Sequence, residues 1–110
     1  MPEIDPSKPL FTIGIVADIL GIPQRILRAY EEKEIIKPSR SVSNRRLYSL
    51  RDLENIEYVH YLTQVKKVNA AGIKVIFSLL GKLKEKERKK LLVVVEQGIE
   101  KAGVGRKKVL

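Results

Sequence analysis

With 110 residues, the chain has room for one packed domain and an appendage, not for several domains. A net charge of +9 and a pI near 9.9 favour nucleic acid or an anionic membrane surface as partner. The absence of cysteine excludes disulfides, thiolate metal sites and redox-sensing thiols, and no apolar run approaches the roughly 18 residues of a membrane span.

Residues 1–9 hold three prolines and no hydrophobic period, so they are expected to form a flexible arm. The acids Glu3 and Asp5 and the lack of an apolar core argue against a signal peptide, which makes the cytoplasm the expected location. Ile13, Val16, Ala17 and Leu20 then share one helical face, with Thr12 placed to cap the helix through its hydroxyl. Gly21 is suited to stop that helix in the left-handed conformation. Pro23, Ile26, Leu27 and Tyr30 repeat the spacing in a second helix, with Pro23 in its first turn. Two short helices joined around a glycine form a helix-turn-helix pattern. On the other side of the second helix, Gln24, Arg25 and Arg28 make one polar stripe. Arg matches the acceptor edge of guanine and Gln that of adenine. Such a stripe alone is more often a solvated helix face.

The next stretch changes that balance. Lys37, Arg40, Arg45, Arg46 and Arg51 fall within fifteen residues that contain no acid. Pro38 disfavours helix before it, Ser41 to Asn44 are mostly turn formers, and Arg46-Leu47-Tyr48 alternates like a strand. A two-stranded basic ribbon beside a helix-turn-helix is the expected form of a phosphate-gripping wing.

Ser49 and Asp52 form a capping-box-like start for a helix from Leu50 to Lys66. Its apolar residues spread almost all round, which suggests burial between two layers, although Ile56 to Leu62 would also make a fair strand. Asn69 can cap the next helix, whose face is Ile73, Ile76, Phe77 and Leu80, and Gly81 breaks or bends the chain. From Lys82 to Lys101 the chain is first charged, then apolar. Leu83, Leu91, Val94, Val95 and Ile99 roughly follow helical spacing. The uninterrupted run Leu91 to Val95 is too wide for a narrow seam, so it either marks an interface or folds back on its own domain; a strand there stays open. Residues 102–110 read as a basic tail. Two thirds of the excess charge lies behind the reading head: residues 1–80 carry twelve Lys/Arg against nine Asp/Glu, residues 81–110 ten against four.

The segments LRAYEE, IKPSR, NRRLYS and RDL, in this order and spacing, resemble the DNA-binding domain of MerR-family transcription regulators. The downstream VNAAGIKVI resembles the branch that holds heat-shock repressors of the HspR type and nitrogen regulators of the GlnR and TnrA type. The resemblance covers roughly Leu10 to Leu80. It implies that Arg28 and Tyr30 touch bases and backbone, that Gln24 and Arg25 set sequence preference, and that Thr12 sits at the backbone where the first helix starts. It places Arg40, Arg45 and Arg46 near phosphates. With Lys37, Asn44 and Tyr48 these complete the expected DNA-binding set. Two positions depart from the family pattern. Glu34 stands where most members have Gly, which leads one to expect a differently shaped turn, and Asn44, which tolerates the left-handed region, stands near the usual wing glycine.

The resemblance also implies a homodimer joined by antiparallel pairing of the C-terminal helices through Leu83, Leu91, Val94, Val95 and Ile99, and a chaperone co-repressor near the tail. A small-molecule effector domain of the kind drug-sensing relatives carry is not expected after residue 82. The absence of cysteine argues against the metal- and oxidant-sensing branches. His60, the one histidine, is expected to be structural rather than a metal ligand. No phosphate-cradling loop, GxSxG elbow or HExxH is present, so neither catalysis nor a cofactor is expected. The expected fold is mostly α: a winged helix-turn-helix over 10–80, then a dimerisation helix over 81–101. The expected function is transcription control, most readily repression, on an inverted repeat of double-stranded DNA. An architectural DNA-bending protein of the excisionase type is the alternative, and an RNA-associated basic module a third, weakened by the few aromatics available for base stacking.

Overall fold

A computed structural model describes residues 4–103, and within them the chain runs β1 (Phe11–Thr12), α1 (Ile13–Leu20), α2 (Gln24–Glu32), β2 (Ser39–Arg40), β3 (Arg46–Tyr48), α3 (Leu50–Gln64), α4 (Ala70–Gly81) and α5 (Glu85–Ala102). The hairpin is wider than the expected two-stranded ribbon. β1 joins it, giving an antiparallel sheet of order β1-β3-β2, with Phe11 opposite Tyr48 and Arg40 opposite Arg46. Two residues are too few for alternation to reveal a strand. Thr12 does stand at the N-cap of α1, but its side chain makes no capping bond; its extended backbone pairs with Leu47 in the sheet instead. Before β1, residues 5–8 form a turn in which the Ser7 amide donates to the Asp5 carboxylate, and the Arg51 amide donates to the Pro6 carbonyl.

Gly21 ends α1 at φ 66°, in the left-handed region expected of it. Pro23 lies one residue earlier than expected, at the N-cap of α2, where its carbonyl accepts from the amides of Ile26 and Leu27. Val16, Leu20 and Leu27 from this pair of helices meet Leu53, Val59 and Ile73 in the main core.

α3 is a helix throughout, which sets the strand reading of Ile56 to Leu62 aside. Its capping box is complete: Ser49 Oγ accepts from the Asp52 amide at 3.0 Å, and the Ser49 amide donates to Asp52 Oδ2 at 2.9 Å. Asn69 caps α4 by accepting from the Gly72 amide at 2.9 Å. The all-round apolar character of α3 has the expected cause. Leu53, Ile56 and Val59 face the main core, while Tyr58 and Tyr61 face a second cluster built with α5.

α5 is helical across Leu91 to Val95, so the strand reading there does not hold. The apolar run divides into two seams. Leu92, Val95 and Ile99 turn inward against Tyr58 and Tyr61, with Ile99 only 7% exposed. Leu91 and Val94 turn outward and are 51% and 66% exposed. Val95 and Ile99, expected in an intermolecular interface, pack within the chain: their spacing along the helix places them over α3. Leu83 is half-buried in the turn between α4 and α5, where its amide donates to the Leu80 carbonyl. The Tyr58 hydroxyl donates to Glu96 Oε1 at 2.8 Å and is held protonated by burial and that carboxylate. Gly98 faces the Tyr61 hydroxyl so closely that an added Cβ would overlap it. The basic tail expected from residue 102 lies outside the described residues beyond Gly103.

Candidate nucleic-acid interface

α2 presents its polar stripe as the helical period requires. Gln24, Arg25 and Arg28 are all exposed, opposite the buried Leu27 and Tyr30. Arg28 Nη2 donates to Gln24 Oε1 at 3.0 Å, one turn apart, which orients both side chains together. The Gln24 amide lies over Gly14 of α1, within van der Waals reach of where a Cβ would stand. That glycine, inside an apolar helix, is the sequence signal for the close approach.

The hairpin is held at its tip by Ser41, whose amide donates to the Arg45 carbonyl and whose hydroxyl accepts from the Arg45 amide at 3.1 Å. Asn44 turns the tip at φ 64°, as expected of a substitute for glycine. Glu34 also takes the left-handed region, at φ 61°. The turn after α2 therefore keeps the glycine-like shape, contrary to expectation, and Glu34 bears about 1 kcal/mol of conformational strain.

Glu31 joins the two cationic elements. Its carboxylate lies 3.2 Å from Arg40 Nη2, 3.0 Å from Arg46 Nη2 and 3.1 Å from Arg46 Nε. The bond with Glu31 strengthens the hold of Arg46 on its proton. Glu31 therefore holds two hairpin arginines at once. A carboxylate at the end of α2 thus aligns the guanidiniums of β2 and β3. Glu31→Ala is expected to cost only about 1 kcal/mol or less of stability, as partly exposed ion pairs do. Affinity for random duplex should rise about fivefold, since a charge repelling phosphates has gone, while preference for a specific site falls. Filter binding on both duplexes at two salt concentrations checks this.

The remaining expected residues sort by exposure. Lys37, Arg40, Asn44 and Arg45 are exposed; Thr12 and Arg46 are half-buried. Tyr30 and Tyr48, expected to reach a duplex, are 4% and 1% exposed and serve the core instead. The Tyr30 hydroxyl lies 2.7 Å from His60 Nδ1 and 3.0 Å from Thr63 Oγ1, which ties α2 to α3. Sequence reading missed His60 and Thr63 as supports for α2, because a tertiary hydrogen bond leaves no periodic signal.

Burial holds His60 below its ordinary value of 6.5, favouring the neutral ring. The unfolded chain therefore binds the proton more readily than the folded one. Its contribution to stability is present in full above about pH 6.5 and declines as pH falls below it. Thermal melts between pH 7.5 and 5 should show that decline, reduced in His60→Gln.

Among the described residues no group of three or more acids and histidines could hold a metal ion, and no helix is long and apolar enough to cross a membrane.

Two helices in a glycine-hinged turn, an exposed Arg and Gln stripe, and an arginine hairpin aligned by a carboxylate define a helix-turn-helix protein. Residues 11–80 match the model of the MerR HTH family regulatory protein. The chain belongs to that family. It is 32% identical over 83 residues to a putative heat shock protein HspR of Streptomyces coelicolor, a match covering 76% of this chain and 55% of the relative. It is 40% identical over 74 residues to the HTH-type transcriptional regulator GlnR of Bacillus anthracis, covering 67% of this chain and 57% of the relative. It is 41% identical over 50 residues to the HTH-type transcriptional regulator TnrA of Bacillus subtilis, covering 46% of each. The chain thus spans about half the length of these curated relatives. GlnR and TnrA are named as regulators rather than enzymes or architectural proteins, so the excisionase-type alternative is not favoured.

Proposed function

We propose that this chain is a sequence-specific DNA-binding transcription regulator that acts as a homodimer on an inverted repeat, most simply as a repressor. The supporting observation is the exposed stripe Gln24, Arg25 and Arg28 on a helix tied through Glu31 to the hairpin arginines. In this reading α2 enters the major groove and the hairpin acts as a wing on flanking phosphates. One copy reaches only a few base pairs, and a two-fold pair doubles the site. The outer seam of α5, Leu91 and Val94, is the proposed contact between copies. The relative named as a heat shock protein makes control of stress genes, with a chaperone as co-repressor near the tail, the preferred physiological setting.

Selection of bound fragments from genomic DNA, followed by footprinting, tests this proposal. A symmetric footprint over an inverted repeat is expected. Protection of one half-site, or equal retention of all fragments, would overturn it. For the dimer, Leu91→Asp with Val94→Asp should yield a monomer in sedimentation that still melts cooperatively, at a temperature no longer dependent on protein concentration.

A further inference from the structure

Away from the α2 stripe, the chain holds a cleft of about 510 Å³ between the turn at 34–38, the end of β3, α3 and α4. That volume suits a small molecule. Ile35, Ile36, Ile56, Ile73 and Phe77 make its walls. Tyr48 also lines it, and the buried Tyr48 hydroxyl has no hydrogen-bond partner among the described residues. A buried polar atom without a partner is costly in a folded chain and gains from a ligand or water that supplies one.

The charges on the lining are unequal in availability. Asp52 is engaged in the cap of α3, where its Oδ2 accepts from the Ser49 amide. Glu34 is 82% exposed and reaches Lys74 Nζ only at 3.7 Å. Lys37 has no carboxylate partner among the described residues. The lining thus carries Lys37 and Lys74 against Glu34 and Asp52. With Lys37 unpaired among the described residues and Lys74 held only at 3.7 Å, its open donors suit a molecule with an apolar body and one negative head placed on the lysines, away from the α3 cap.

We propose that this cleft binds an amphipathic monoanion, with the apolar body between α3 and α4 and the carboxylate on Lys74 and Lys37. A carboxylate there takes Lys74 from Glu34 and neutralises Lys37. Because Lys37 belongs to the proposed phosphate-binding set, occupancy weakens DNA binding by about one phosphate contact. That last consequence rests on the proposed function; the binding itself does not.

The test is isothermal titration of the full chain with decanoate below its micellar concentration, with decanol as the uncharged control. Saturation at one decanoate per chain is expected, with decanol about tenfold weaker, the worth of one charged hydrogen bond. Lys74→Gln should weaken decanoate about tenfold and leave decanol unchanged. Ser78→Trp, which places an indole in the cleft, should abolish both. Folding of each variant is checked by its melting curve. In filter binding, saturating decanoate should reduce the slope of log affinity against log salt by about one. A stoichiometry far above one, indifference to Lys74→Gln, or full binding to a folded Ser78→Trp would overturn the site. So would a dimer that buries the cleft and excludes decanoate. Clean decanoate binding by a chain that retains no duplex would leave the site standing and defeat the DNA reading alone.

Discussion

Arg28→Ala should lose about 1–3 kcal/mol of discrimination between the selected operator and random duplex, roughly five- to 150-fold in relative affinity. Arg28 is exposed on α2, and its guanidinium is pre-oriented by Gln24 Oε1 at 3.0 Å. Truncation removes a bidentate donor and releases Gln24 as well, so the loss should fall on operator binding and leave random duplex nearly as it was. Arg45→Ala is the opposite case. Arg45 is exposed on the hairpin and has no acid held against it among the described residues. Its loss should weaken both duplexes alike and reduce the salt slope by about one. Equal effects of Arg28→Ala on both duplexes would remove base reading from α2.

Gly98→Ala should destabilise the docking of α5 on α3 by about 1–3 kcal/mol, the usual result of inserting a methyl group where packing leaves no space. A methyl group at Gly98 would overlap the Tyr61 hydroxyl, and Tyr61 is itself buried. The direction is diagnostic, because alanine in a helix interior otherwise gains about 1 kcal/mol over glycine. Gly81→Ala supplies the contrast: an added Cβ there meets nothing, so it should not destabilise. Tyr61→Phe removes the clashing oxygen and should restore part of the stability lost in Gly98→Ala. Chemical denaturation of the four variants checks this as a double-mutant cycle. Independent effects of the two substitutions would mean that the contact does not hold α5.

Local chemistry in this chain was legible before the fold was known. Gly21, the Ser49 and Asp52 box and Asn69 each act within a few residues of themselves, and each does in the structure what its side chain predicts. The stripe Gln24, Arg25 and Arg28 was legible because helical period alone decides what faces outward. Tyr30 and Tyr48 were misplaced because a tyrosine has both an apolar ring and a polar tip, and only the third dimension decides which is used. Leu91 to Val95 shows the same limit: five adjacent apolar residues cannot reveal which of them meet α3. β1 was invisible because its pairing partner, β3, lies more than thirty residues away. The Glu34 turn erred in the other direction. The neighbouring elements hold a backbone shape that the residue itself disfavours.

The inner seam of α5 closes within a single polypeptide, through Leu92, Val95, Ile99 and the Tyr58–Glu96 bond. The C-terminal helix therefore does not depend on a second molecule for its own order. Its circular dichroism signal should survive dilution to nanomolar protein, far below any concentration at which the outer seam could find a mate. Self-association would then add a symmetric copy to an already finished unit, and mass action could regulate occupancy of a palindrome without unfolding anything.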